Sequence, residues 1–304
     1  MNRIKVSVII PTYKRSRDIL RAVESVLSQT IDSFEVIVVD DNGIGTIEGE
    51  ETAKIMQRYV NENRLTYIRH EHNLNGAVAR NTGIKRAVGK YIAFLDDDDA
   101  FMPERLQRMY ECLEERGMEW GACYSGYVKH LNGYDQYSAE KNCGDLYVQA
   151  LMRSLYIGSG SNLFFRKIVV DEIGFFNENF KRNQDLEYLI RVLKKYKMAY
   201  VDEVLLEIHY DIRQKPWTKA QWYSIEQSFY ESFKPFLNDL SETDRRRVLC
   251  MYSIDELRHA IGYKDWYKVY SLIVKRNVPM RVLLKYVMYA INRWRTKTCY
   301  GFVP

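Results

Sequence analysis

Tyr91-Ile-Ala-Phe-Leu-Asp-Asp-Asp-Asp99 is the stretch on which the fold turns. Its first five residues are apolar or aromatic without alternation, the pattern of a short strand buried on both faces. Its last four are like charges set side by side, an arrangement no fold requires. Either they form a solvated acidic turn or they meet a cation. Carboxylates suit Mn²⁺ or Mg²⁺, which are held by one or two acids together with phosphate oxygens and water. The apolar strand before the run and Met102-Pro103 after it favour the cation.

The pattern repeats upstream. Val6-Ser-Val-Ile-Ile10 is a β-branched run stopped by Pro11, and Phe34-Glu-Val-Ile-Val-Val39 is another, stopped by Asp40-Asp41-Asn42-Gly43. Leu65–Arg69 reads as a third strand. Helical spacing fills the gaps at Ser16–Leu27, Thr52–Asn61 and Gly76–Val88. Alternating strands and helices define a parallel sheet with right-handed crossovers, whose ligands sit beyond the carboxyl ends of the strands. Downstream, a helix is expected over Met102–Arg116, a strand over Ala122–Leu131, a loop at Gly158–Ser161, a helix over Asn183–Tyr196 and a last strand over Ala199–Ile208. Strand signals then cease, and Ser224–Phe236, Ser241–Ile261 and Trp266–Val274 read as helices, with Ser241-Glu-Thr-Asp244 as a capping box. The expected fold is α/β, a Rossmann-like, mostly parallel sheet flanked by helices, with a C-terminal helical extension. The expected division is a nucleotide-binding domain over 1–214 and a helical region over 215–304.

Length and composition agree. The chain has 304 residues, 46% of them apolar, enough for one large α/β domain with an appendage. Its five cysteines lack zinc-ligand spacing and read as free thiols of a reducing compartment. Met1–Lys5 runs directly into a strand, no signal peptide is seen, and no apolar run is long enough to span a bilayer. The expected location is therefore cytoplasmic, with a peripheral position on the inner membrane face left open. The net charge of +5 gathers at the end of the chain (Lys275, Arg276, Arg281, Lys285, Arg293, Arg295, Lys297). On a helix over 279–297, Arg281, Lys285, Asn292 and Arg295 fall on one stripe. Leu283, Leu284, Val287, Ala290, Ile291 and Trp294 fall opposite. Such a helix either packs on the rest of the chain or lies in an anionic membrane surface. No nucleic-acid module is recognisable, so no nucleic-acid partner is expected. The 24 tyrosines serve either packing or a sugar-contacting surface.

Other candidates carry two readings each. Asp40 either accepts hydrogen bonds from a nucleoside or builds an Asx turn before Gly43. Arg80, after the helix start at Gly76, either forks onto a phosphate or is a surface arginine. Asp185 is either a general base or an acid favoured by the helix dipole. His209 is either structural or a ligand to metal or diphosphate.

In this order the blocks resemble glycosyltransferase family 2, whose members have the GT-A fold; the match runs over roughly residues 4–212. The resemblance implies that Pro11, Thr12 and Tyr13 wrap the nucleoside and that Asp40 contacts its base. It implies that Arg80, Asp96 and Asp97 serve the nucleotide, that Asp98 is the principal metal ligand with Asp99 and His209 as further ones, and that Asp185 is the base. The family's Glu-Asp pair is Gln184-Asp185 here, and the Tyr-Arg before its late histidine is absent. The implied function is inverting transfer from a nucleotide sugar, a UDP-sugar in the first instance, to a hydroxyl of a glycan or lipid-linked glycan in bacterial surface polysaccharide synthesis. Two rivals stand beside it. A sugar nucleotidyltransferase would need a Gly-rich basic loop where Pro11-Thr-Tyr-Lys14 stands, and a binding module would keep the pocket without turnover.

Overall fold

The computed structural model describes residues 4–131, 133–180, 182–210, 218–275 and 278–304. The expected boundary at 214–215 and Arg276 of the basic tail lie outside the described residues. The chain divides into two compact units. One comprises residues 1–146 and 157–210, the other 147–156 and 211–304. The stretch Tyr147–Tyr156, expected in the first domain, thus belongs with the helices, because Ala150, Leu151 and Met152 are buried and Arg153 pairs with Glu226 (2.7 Å) and Asp255 (3.3 Å).

The first unit runs β1 (Val6–Thr12), α1 (Ile19–Leu27), β2 (Phe34–Asp40), α2 (Ile47–Asn61), β3 (Thr66–Arg69), α3 (Gly76–Arg86) and β4 (Tyr91–Phe94). It continues with β5 (Ala100–Phe101), α4 (Arg105–Glu114), β6 (Trp120–Leu131) and β7 (Tyr134–Ser138). After α5 (Tyr147–Leu151), which belongs to the other unit, come β8 (Phe164–Arg166), α6 (Lys167–Ile173), α7 (Gln184–Leu193) and β9 (Lys197–His209). The sheet order is β7-β6-β8-β4-β1-β2-β3, with β9 parallel to β6 and β5 antiparallel to β9. The β4-β1-β2-β3 portion is parallel, as the sequence implied. Val8, Ile9, Ile10, Val36–Val39 and Tyr91–Leu95 are fully buried, each large aliphatic contributing about 1.5–3 kcal/mol.

Strand β1 runs two residues past its expected end at Ile10. Proline lacks an N–H and is excluded where the ladder needs one. Here β4 pairs only with Val6–Ile9, so no donor is missed at Pro11, and the β2 side continues to the Asp41 N–H bond to Thr12 O (2.9 Å). Helix α2 starts earlier than expected because the Thr46 side chain caps it by accepting from Gly49 N (3.1 Å). Gly83 lets α3 lie directly on β1: a Cβ there would stand 3.0 Å from Ile9 Cγ1 and closer still to Cγ2.

The second unit holds α8 (Lys219–Phe233), α9 (Glu242–Gly262), α10 (Trp266–Lys275) and α11 (Met280–Thr296). Ser241 caps α9 by accepting from Asp244 N, but the Asp244 side chain bonds the Ser241 hydroxyl rather than its N–H, so the expected capping box is half formed; a full box stands at Thr218 and Gln221. A cavity of about 1080 Å³ lies within this unit, bordered by Arg153, Tyr223, Glu226, Tyr252, Asp265 and Lys268. On α11, Val282 is buried, whereas Leu284, Val287, Met288, Ile291 and Trp294 form an exposed apolar stripe beside Arg281, Lys285, Asn292 and Arg295. Met288 joins the apolar stripe read from the sequence, and Leu283 turns partly inward. Among the described residues no helix is long and apolar enough to cross a membrane. All five cysteines are free thiols.

Candidate active site

The acidic run leaves β4 as a turn whose side chains alternate. Asp96 and Asp98 face outward, their side chains 28% and 20% exposed, while Asp97 and Asp99 are turned in. Asp97 Oδ2 accepts from Thr12 Oγ1 (2.8 Å) and Tyr13 N (3.1 Å) at the end of β1. Asp99 Oδ2 accepts from Ser159 Oγ (2.9 Å) and Ser161 Oγ (2.6 Å), and its Oδ1 accepts from His209 N (3.1 Å). Asp97 and Asp99 thus both turn toward the frame. Their oxygens are spent on the frame, because a strand end surrounded by protein must satisfy every polar atom it buries.

Arginines answer the charge that the sequence suggested a cation would relieve. Arg15 pairs with Asp98 and, at 3.5 Å, with Asp97. Arg80 Nη2 donates to Asp96 Oδ1 (2.6 Å). Beneath the run, fully buried Arg105 donates to Ser125 Oγ (2.7 Å), Ser161 O and Asn162 Oδ1 (both 3.1 Å), with its guanidinium over the Phe101 ring. Arg15 and Arg105 went unnoticed in the sequence. Nothing local marks Arg15, and Arg105 reads as an ordinary first-turn helical residue. Burial pushes Asp97 up to about 7, with the Asp98 charge acting the same way and Thr12 and Arg15 opposing. Burial also raises Asp98 and Asp99, reinforced by Asp96.

Asp185 lies in the first turn of α7, whose entry residue Asn183 is left-handed (φ 55°). Gln184 Oε1 accepts from Arg80 Nη1 (3.2 Å), and its Nε2 donates to Phe180 O (2.7 Å). The residue that departs from the family pair therefore steadies Arg80. Gly160 lies alongside both side chains: a Cβ built there would meet Asp185 Cβ at 3.4 Å and Asp185 Oδ2 and Arg80 Nη2 at 3.9 Å, ordinary contact distances. Burial raises the Asp185 carboxyl, Arg80 opposes, and Asp96 pushes it further up. That is the direction that readies a carboxylate to accept a proton.

The nucleoside candidates divide. The Tyr13 ring is exposed at the end of β1, while Thr12 is buried against Asp97. Asp40 is 1% exposed. Its Oδ1 accepts from Asn42 N (2.9 Å) and Asn42 Nδ2 (2.7 Å), which is the Asx turn, and its Oδ2 accepts from Tyr67 Oη. Asp41 binds His70 Nδ1 (2.8 Å), Asn73 Nδ2 (2.8 Å), Leu74 N (2.8 Å) and Asn75 N (2.9 Å), fixing the loop that starts α3. The ring of His209 faces His130, with centroids 4.7 Å apart, and Glu207.

Residues 7–174 match the model of glycosyl transferase family 2, and the chain belongs to that family. Its sheet and flanking helices are those of the GT-A fold. It is 30% identical over 211 residues to an uncharacterised glycosyltransferase of Rickettsia felis, a match covering 67% of this chain and 33% of that one. It thus spans about a third of that relative's length. It is 29% identical over 230 residues to TuaG of Bacillus subtilis, which is provisionally named a teichuronic acid biosynthesis glycosyltransferase, covering 72% of this chain and 86% of that one. Among solved structures it resembles residues 1–349 of S. aureus TarS in complex with UDP-GlcNAc, with a TM-score of 0.64 at 20% identity, over 82% of this chain and 71% of that one.

Proposed function

We propose that the chain transfers a sugar, with inversion, from a nucleotide sugar to a hydroxyl of a growing surface glycan. One observation carries this reading. The end of β1, the end of β4, helix α3, the Ser159–Ser161 loop and helix α7 bring Asp96, Asp98, Arg80 and Asp185 to one place. A nucleoside diphosphate sugar needs these groups: an aromatic beside the base, an arginine and cation-binding acids at the diphosphate, and a base beyond it.

The site fits a divalent ion of the Mn²⁺ or Mg²⁺ type, because Asp96 and Asp98 offer hard, outward carboxylate oxygens. Asp98 would hold it, and such an ion supplies neutralisation of charge on the departing diphosphate. Asp99 is turned inward, its oxygens bonded to Ser159, Ser161 and His209, and would stand behind Asp98 at the ion. Asp185 takes the proton from the acceptor hydroxyl. Gln184 and Asp96 hold Arg80 where a phosphate oxygen can replace a carboxylate as its partner. Tyr13 offers its exposed ring to the base. A UDP-sugar donor is supported by the TarS complex with UDP-GlcNAc, and a wall-type glycan acceptor by the name of TuaG. The exposed apolar stripe of α11 beside four polar and basic residues supports a lipid-linked acceptor met at the inner membrane face. The helical region would then serve the acceptor side and the α/β unit the donor.

The test is nucleoside diphosphate release from a panel of UDP- and GDP-sugars, with Mn²⁺ and with EDTA, in the presence of membrane-extracted lipid-linked acceptor. Release from one donor, abolished by EDTA, is expected. Pyrophosphate release would instead mark a nucleotidyltransferase, and tight nucleotide binding without turnover a binding module.

A further inference from the structure

Strands β6 and β9 run parallel with His130 opposite His209 in register, so the two rings stand on one face of the sheet. Glu207, two residues before His209 on β9, shares that face. The three side chains, each about a third exposed, place one ligand atom apiece within 4.8 Å of one another. His130 Nε2 lies 3.9 Å from Glu207 Oε1, and His209 Nε2 lies 3.8 Å from Glu207 Oε2. Both separations are too long for hydrogen bonds.

Two further features single this cluster out from a surface ion-pair group. The Nε2 atom of His209 is buried and has no hydrogen-bond partner among the described residues. An orphaned buried polar atom costs about 1–3 kcal/mol and asks for an explanation. The other ring nitrogen of His130, Nδ1, is bonded to Asp135 Oδ1 at 2.9 Å. A carboxylate on one imidazole nitrogen fixes the tautomer and turns the lone pair of the other outward, the arrangement that supports metal-bound histidines. Here that lone pair points toward Glu207.

We propose that His130, Glu207 and His209 form a binding site for a first-row transition metal of the zinc type, with Asp135 orienting His130. Two imidazoles and a carboxylate are the donor set such ions take, whereas the carboxylate-only set at Asp98 suits Mn²⁺ or Mg²⁺. Ligand atoms around a tetrahedral zinc stand roughly 3.3 Å apart, so pairs at 3.8–3.9 Å must close by about half an ångström and the widest, within 4.8 Å, by up to about 1.5 Å. Rotation of partly exposed side chains supplies that. The bound ion would clamp the ends of β6 and β9. Through the His209 N–H bond to Asp99 it would steady the frame under the acidic run. The site stands on the strand register alone and does not depend on the donor reading above.

The full chain, stripped with chelator, is titrated with Co²⁺ and followed by visible absorption, then with Zn²⁺ by calorimetry. One equivalent with a nitrogen-ligated Co²⁺ spectrum is expected, displaced by Zn²⁺. His130→Ala and Glu207→Gln should each weaken Zn²⁺ by about a hundredfold and Asp135→Asn by about tenfold, with unchanged circular dichroism, while Asp98→Asn keeps the spectrum. Zn²⁺ should raise the melting temperature of the wild type and not of His130→Ala. The proposal is overturned by a Co²⁺ spectrum without nitrogen ligands, by a signal surviving both His130→Ala and Glu207→Gln, or by a signal lost only with Asp98→Asn.

Discussion

Replacing Asp185 by Asn separates chemistry from architecture at the centre of the proposed site. The amide matches the carboxylate in size and keeps the first turn of α7, but it cannot take a proton. General-base assistance is worth about 10²- to 10⁴-fold in rate, or about 2.7–5.4 kcal/mol of barrier at 1.36 kcal/mol per decade. Folding should change little. The variant loses a favourable carboxylate–dipole contact of about 0.3–1 kcal/mol, and it also loses a charge whose burial the fold disfavours. The pH dependence carries a sign. Burial raises the Asp185 carboxyl above 3.8, so its proton stays on to a higher pH than for a free aspartate. Wild-type kcat/KM should therefore fall as pH drops through a limb displaced above the ordinary carboxylate range, and Asp185→Asn should lose that limb. The assay is diphosphate release at saturating donor and subsaturating acceptor across pH, which reads kcat/KM for the acceptor, with donor affinity measured separately by calorimetry. Turnover within about threefold of wild type, with intact folding and the acid limb still present, would refute the reasoning and move the base elsewhere.

Three other perturbations follow from the packing and the charges. Gly83→Ala would stabilise an open helix by about 1 kcal/mol, but the new methyl meets Ile9; overpacking of about 1–3 kcal/mol should win, read as a lower urea midpoint. Asp41→Ala removes the acceptor of four bonds, three to the Asn73–Asn75 loop and one to His70, and leaves their donors stranded; a loss of about 3 kcal/mol or more should appear in urea denaturation, with nucleotide binding weakened. Arg15→Gln frees the Asp98 oxygen that a cation must otherwise win from Arg15; a pair worth about 1 kcal/mol implies about fivefold tighter Mn²⁺ binding without nucleotide, measured by electron paramagnetic resonance.

Where the sequence was legible, one physical rule was at work at a time. Strands buried on both faces must be continuous apolar runs, so β1, β2 and β4 stood out at once. The acids at their ends stood out because like charges side by side need a cause. Side-chain direction was not legible. Asp96 to Asp99 are identical letters, and only the turn decides that 96 and 98 face out while 97 and 99 face the frame. The partners of those acids come from 83, 16 and 62 residues away for Arg15, Arg80 and Ser161, and of the three only Arg80 carries a local mark. His130 and Glu207 escaped for the same reason, since their pairing is a property of strand register. Two missed helix starts were readable, however. Thr218-x-x-Gln221 is an ordinary capping signature, and Thr46 with Glu48 and Glu50 behind it marks the true start of α2.

The ordered blocks are tied to one another by buried polar groups, which is why they occur as a set. Thr12 of the first block bonds Asp97 of the fourth. Asp41 of the second holds Asn73 and Asn75 of the third. Asn81 of the third accepts from Phe176 N (2.8 Å) and donates to Phe176 O (3.0 Å) and Glu178 Oε1 (2.9 Å) in the stretch before α7. Asp99 joins the Ser159–Ser161 loop to the end of β9. Each tie leaves a donor or acceptor stranded if one member changes alone, at about 1–3 kcal/mol, so single departures persist only where the geometry absorbs them. Gln184 is such a departure. It keeps an oxygen for Arg80 and gives up a charge, so Arg80 is held by one full carboxylate, Asp96, rather than two. A guanidinium bound more weakly to its own protein is easier to transfer to a phosphate. Gln184→Glu should therefore tighten the Arg80 pairing and weaken donor binding, a result opposite to that expected if Gln184 were a damaged catalytic residue.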